Sequence, residues 1–260
     1  MTHRALRLVP LLTSLCLPAC IIDLDGDLGS TIEGHLQPAC VGVDAHSEQV
    51  TVDEPIHAVV VDNGVGDVTV RTHDEPGARV EADLFGDDPS EPWLRVEDGV
   101  LRVDASCKGC CGADLVLTVP ATAALTVELG VGDLDVVGLQ GAADLRVSTG
   151  DMTLGQLGGP LVLHVDTGEI EGEALEGAEA TAHVGTGDVS LAYGPQAALE
   201  SVTVDVGVGE VDLRVPAGSY DLHLDSGVGD VDVAGLQHGG GAQPRIQVDV
   251  GTGDIDVHGI

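Results

Sequence analysis

Short runs of strict apolar–polar alternation recur along most of this chain, and glycines separate them. Leu125-Thr126-Val127-Glu128-Leu129 is followed, after Gly130-Val131-Gly132, by Leu134-Asp135-Val136. Ile246-Gln247-Val248-Asp249-Val250 leads in the same way through Gly251-Thr252-Gly253 to Ile255-Asp256-Val257. A period of two sets aliphatic side chains on one face of a strand and polar ones on the other. The intervening glycines permit a tight turn with positive φ. Helix-period segments are nearly absent, so the pattern predicts an all-β chain.

The junction between paired strands has a signature, Gly-x-Gly-Asp/Glu-aliphatic-x-aliphatic, with the first Gly sometimes replaced. It reads GVGDVTV at 64–70, GVGDLDV at 130–136, STGDMTL at 148–154, DTGEIEG at 166–172 and GTGDVSL at 185–191. It returns as GVGEVDL at 207–213, GVGDVDV at 227–233 and GTGDIDV at 251–257. From Gly132 onward the second glycines lie 18, 18, 19, 22, 20 and 24 residues apart. A period near twenty marks stacked rungs, since one rung cannot bury its apolar face alone. The reading is a parallel β-solenoid stacked in register at about 4.8 Å. Between Gly66 and Gly132 the signature is degraded. Strand-like runs at 78–84, 94–96, 100–105 and 115–119 predict roughly three irregular rungs and a cap there, with a loop at 87–92. The last repeat has no visible cap and predicts an exposed edge.

Composition sharpens this picture. Phe85, Trp93, Tyr193 and Tyr220 are the only aromatics, so the core must be built from thin aliphatic layers. Trp93 and Tyr220 read as packing or cap residues. The formal net charge is −34, from 44 acids against 10 bases, with Lys108 the single lysine. Such a chain has no clustered bases for nucleic acid or anionic lipid.

The first residues read as an address. Arg4 and Arg7 precede an apolar run, Leu8 to Leu17, too short to cross a membrane. Leu17-Pro18-Ala19-Cys20 resembles a bacterial lipobox, which implies cleavage before Cys20 and lipidation of its thiol. The expected organisation is a signal peptide at 1–19, a lipidated N-terminus and tether at 20–50, and a solenoid body at 51–260. Within the body, 51–118 would be irregular and 119–260 regular. An ordinary secretory signal is the alternative; either way the chain is exported. Ile21 after the cysteine points to the outer membrane, with the lipid as the membrane contact.

The repeated GxGD[VIL] signature, together with Glu97-Asp98-Gly99-Val100-Leu101-Arg102-Val103 through Val119-Pro120, resembles a bacterial adhesin-like family with β-strand repeats. That family is related to auto-transporter adhesin head (GIN) domains. The resemblance covers roughly 51–260 and implies a right-handed parallel β-helix at the cell envelope or surface.

The mature chain would keep Cys20, Cys40, Cys107, Cys110 and Cys111. With Cys20 lipidated, the other four are disulfide candidates in an oxidising compartment. Cys40 with one of the 107–111 group is the favoured bond, and it would close a long loop. A zinc site built from the same four is the alternative.

Candidate chemistry is sparse. The acids after the second glycines, Asp67, Asp133, Asp151, Glu169, Asp188, Glu210, Asp230 and Asp254, are expected to form one outward ladder. Asp135, Glu171, Asp212, Asp232 and Asp256 would form a second. Unit charges at that spacing repel by about 0.9 kcal/mol in water, which Ca²⁺ could relieve through oxygen ligands. The repeat differs from calcium-binding nonapeptides in period and in acid position, so no metal site and no cofactor are assigned. His164 and His183, each four residues before a second glycine, are expected to neighbour each other on an outer face. Ser14, Ser106, Ser148 and Ser226 sit in no nucleophile motif, so no catalytic residue is assigned. The leading expectation is a non-catalytic envelope lipoprotein with an adhesive or structural role. A calcium-stabilised acidic solenoid and a β-helical carbohydrate-active enzyme are the alternatives.

Overall fold

The computed structural model describes residues 45–86, 93–106, 111–239 and 244–260, all within a compact unit running from Gly42 to Ile260. The expected signal peptide, Cys20, Cys40, Cys107, Cys110 and the whole 87–92 loop lie outside the described residues.

The described chain is all-β. Its N-terminal strands are β1 (Ala45–Val52), β2 (Ala58–Val65), β3 (Val68–His73), β4 (Ala78–Gly86), β5 (Leu94–Glu97), β6 (Val100–Ala105) and β7 (Cys111–Pro120). The regular region holds β8 (Ala124–Val131), β9 (Leu134–Val137), β10 (Ala143–Thr149), β11 (Met152–Gly155), β12 (Leu161–Thr167) and β13 (Ile170–Leu175). It continues with β14 (Glu179–Thr186), β15 (Val189–Tyr193), β16 (Ser201–Val208) and β17 (Val211–Val215). The last strands are β18 (Ser219–Ser226), β19 (Val231–Ala234), β20 (Gln237–His238), β21 (Arg245–Thr252) and β22 (Ile255–Gly259).

These strands form two sheets of eleven. Each repeat sends its longer strand to one sheet and, after the glycine turn, its shorter strand to the other. From β8 to β17 the pairing is parallel and in register, with Leu145 beside Val127 and Leu163, and Leu154 beside Val136 and Gly172. The alternation read from sequence is seen directly. In β8, Leu125, Val127 and Leu129 are buried while Ala124 and Glu128 are exposed. Inward residues of both sheets merge into one core made almost wholly of Val, Leu, Ile and Ala. Burying each Val or Leu contributes about 1.5–3 kcal/mol, and stacking lets every rung bury its face against the next.

Two features depart from sequential stacking. First, β2 and β3 lie between β6/β7 on one side and β8/β9 on the other. Second, β21 and β22 lie between β16/β17 and β18/β19. The last repeat is therefore interior, and the exposed edge expected there belongs instead to residues 219–234. The N-terminal region also differs from the three irregular rungs expected. β6 and β7 make one rung, whereas β1, β4 and β7 pair antiparallel, as do β5 and β6. The first described strand starts at Ala45. Trp93 is buried in this cap and donates its indole N–H to Glu48 Oε2 at 2.8 Å. Tyr220 is also buried, its hydroxyl donating to the Pro216 carbonyl at 2.8 Å. Both play the packing roles expected of them.

Candidate functional site

The glycine–acid junctions stack into a single ladder whose order is Ala113–Asp114, Gly66–Asp67, Gly132–Asp133, Gly150–Asp151, Gly168–Glu169, Gly187–Asp188, Gly209–Glu210, Gly253–Asp254 and Gly229–Asp230. The glycine is required twice over. At Gly150 φ is +138°, and a Cβ there would sit 1.9 Å from the Gly132 carbonyl oxygen. The same close approach repeats along the stack, so a side chain would push adjacent rungs apart.

The acid has a structural task. Asp67 N–H donates to Asp114 Oδ1, Asp133 N–H to Asp67 Oδ1, Asp151 N–H to Asp133 Oδ1, and Glu169 N–H to Asp151 Oδ1, all at 2.9 Å. Glu210 N–H reaches Asp188 Oδ1 at 2.7 Å, and Asp230 N–H reaches Asp254 Oδ1 at 2.8 Å. Every ladder aspartate except Asp230 thus caps the turn of the next rung with one oxygen, a charge-assisted bond that offsets part of the repulsion between neighbours. No such bond joins Glu169 to Asp188 or Glu210 to Asp254 among the described residues, because the extra methylene of glutamate moves its oxygens off the short bridging path. Asp114 is the ladder member that sequence reasoning missed.

The expected second ladder is interrupted. Its column reads Thr69, Asp135, Thr153, Glu171, Ser190, Asp212, Asp256 and Asp232, so only the last three acids are contiguous. Asp212 is also paired with Arg214. Among the described residues, no group of three or more His, Cys, Asp or Glu side chains is arranged to hold a metal ion.

The outer face of the other sheet carries a column of nine ionisable residues in register. Its order is Asp104, Asp62, Glu128, Arg146, His164, His183, Asp205, Asp249 and Asp225. His164 and His183 stack with ring centroids 4.9 Å apart and planes 16° from parallel, so the two are neighbours as expected. His164 Nε2 lies 3.0 Å from Asp166 Oδ1, and His183 Nδ1 lies 3.5 Å from Asp205 Oδ1. The bases therefore sit where acids flank them on both sides. Asp62 lacks such a base. Its carboxyl is pushed above the ordinary range by partial burial first, then by Asp104 and Glu128.

A shallow groove of about 420 Å³ runs beside this column, lined by Asp62, Glu128, Arg146, Ser148 and His164 among others. No hydrogen bond joins Ser148 to His164 among the described residues, although both line this groove. Ser226 instead donates its hydroxyl to the Gly253 carbonyl at 2.8 Å, a turn contact. Burial pushes the Tyr193 phenol above its ordinary range, which leaves it a neutral core group. Cys111, the first residue of β7, is disulfide-bonded; the other cysteines lie outside the described residues.

No family model matches the chain, and no curated protein matches it. Solved structures do resemble it. A candidate cell adhesion protein of Clostridium sporogenes covers 84% of this chain and 100% of its own, with 12% identity and a TM-score of 0.41. A candidate adhesin of Bacteroides fragilis covers 83% and 97%, with 16% identity and a TM-score of 0.42. One from Parabacteroides distasonis covers 84% and 98%, with 18% identity and a TM-score of 0.34.

Proposed function

We propose that this chain is an exported, non-catalytic envelope lipoprotein, held to the outer membrane through lipid on Cys20, whose right-handed β-solenoid body serves adhesion or envelope architecture. The observation that carries this reading is the ladder. Six ladder aspartates each commit an oxygen to the turn of the neighbouring rung. They are parts of a stiff stack, and what the stack offers outward is a long, regular, acidic face. Such a face suits contact with an extended partner more than binding and turning over a small substrate. The adhesive element of the proposal rests on the resemblance of the repeat, and the anchor rests on Leu17-Pro18-Ala19-Cys20.

Two measurements on cells producing a tagged copy test it. Labelled fatty acid should enter the wild-type chain but not Cys20→Ser, and the variant should shift from the membrane to the soluble fraction. Protease added to intact cells should then degrade the body if it faces outward, as adhesion needs. Complete protection of the body would end the adhesive reading and leave the architectural one.

A further inference from the structure

The two ends of the stack differ in how the last rung is covered. At the N-terminal end, antiparallel β1, β4 and β5 cover the rung of β6 and β7, with Trp93 tucked beneath. At the opposite end the terminal rung is β18 and β19. Its inward positions align with fully buried residues one rung below: Leu222 with Ile246, Leu224 with Val248, Val231 with Ile255 and Val233 with Val257. On the terminal rung the same positions are uncovered. Val231 and Val233 are 45% and 40% exposed, and Leu222 and Leu224 are only partly buried.

The backbone is open there too. β20 pairs with β18 only at Ser219 and Tyr220. Among the described residues, Asp221–Ser226 and Val231–Ala234 have no strand on their outer side. The ladder also ends there: Asp230 N–H is bonded to Asp254, but no backbone N–H among the described residues reaches the Asp230 carboxylate in turn. Every rung below presents this same cross-section and has another strand laid upon it.

Charge selects the occupant. The terminal rung carries Asp225, Asp230 and Asp232, with Asp249, Asp254 and Asp256 directly beneath, whereas its fourth acid, Asp221, already pairs with Arg245 and His223. A second copy of this end would bring the same acids face to face. Residues 21–44 of this chain carry Asp23, Asp25, Asp27, Glu33 and Asp44 and no Lys or Arg, so they meet the same repulsion. We infer that the open end of the stack, formed by Asp221–Ser226 and Val231–Ala234, receives an extended segment of another protein in which aliphatic residues alternate with Lys or Arg. Its backbone continues the ladders, its aliphatics cover Leu222, Leu224, Val231 and Val233, and its bases meet the outward aspartates. This is strand addition to an unprotected edge. It depends on neither the lipid anchor nor the adhesive role.

The probe is a blocked peptide of alternating Val and Lys/Arg, long enough to span Asp221–Ser226. Its control is a peptide of equal length and charge with the central valine replaced by proline. Hydrogen exchange of the full exported chain should show the peptide slowing the amides of 221–226 and 231–234. The proline control and the Val231→Lys/Val233→Lys variant should each bind at least about tenfold more weakly. Val162→Lys, on the outer face of β12, should bind as wild type, and Asp225→Asn/Asp232→Asn should bind more weakly and with less salt dependence. Equal binding of the two peptides, or protection spread over the acidic faces, overturns the inference in favour of plain polyanion attraction. Concentration-dependent dimers lost in Val233→Lys overturn it in favour of a second copy. Protection of 231–234 that disappears when residues 21–44 are deleted overturns it in favour of the chain's own tether.

Discussion

Asp133 accepts the backbone N–H of Asp151 on Oδ1 at 2.9 Å, across the boundary between two rungs. The bond needs a short side chain with an oxygen, not a negative charge as such. Asp133→Ala should therefore cost about 1–2 kcal/mol, whereas Asp133→Asn should cost less than about 0.5 kcal/mol because it keeps the acceptor and removes ladder repulsion. Urea denaturation of both variants checks the contrast. Equal losses would mean that charge, not capping, selects aspartate at this site.

Gly150 and Gly155 lie five positions apart and should respond in opposite ways to alanine. A Cβ at Gly150 meets the Gly132 carbonyl at 1.9 Å with φ at +138°, whereas one at Gly155 meets only Val137 Cγ2 at 3.5 Å. Gly150→Ala should lose at least about 2–3 kcal/mol. Gly155→Ala should be neutral or slightly stabilising, within about 0.5 kcal/mol. Thermal melting of the two variants side by side decides it.

Asp62 supplies the pH dependence. Its folded carboxyl titrates above the unfolded one, so the unfolded chain releases its proton first as pH rises. The folded state then loses stability through that window, and the penalty is complete above the folded value. Asp62→Asn should raise the melting temperature near neutral pH. The gain should vanish in acid, below the ordinary carboxylate range, where both forms are neutral. A gain that persists in acid would show packing rather than titration.

Calcium should matter little to the fold. One oxygen of every ladder aspartate but Asp230 already accepts a backbone N–H, and Thr153 and Ser190 interrupt the second column. Melting in EGTA and in millimolar CaCl₂ at equal ionic strength should coincide. A rise of several degrees with calcium would instead favour the cation-stabilised reading of the outer carboxylates.

The alternating strands and glycine turns were legible because each is local: Leu125 to Leu129 announces its own buried face, and Gly132 its own turn. The parallel register followed from the repeat period. Asp114 was not legible, because Ala113 replaces the glycine. Ala113 tolerates its Cβ because β7 runs there as an ordinary strand, with β4 antiparallel on its far side rather than another glycine turn. The order of stacking was also hidden. Rungs with the same cross-section fit one another in any order, so nothing local in Val231 or Ile255 states which will be covered. The acids were visible but their task was not, since a cap reveals itself only when the neighbouring N–H is in place. Why His164 faces His183 has no further account than their shared register.

The placement of β21 and β22 beneath β18 and β19 changes what a truncation means. In a sequentially stacked repeat protein, losing the last unit peels away an outer layer and leaves the remainder intact. Here, removal of residues 245–259 would take out an internal slab, leaving β18 and β19 with no partner to rest on unless they slide down onto β16 and β17. The same holds for β2 and β3 at the other end. Duplicating or deleting whole repeats is thus simple only across the stretch from β8 to β17, where chain order and spatial order agree; that stretch is where this architecture can change its length.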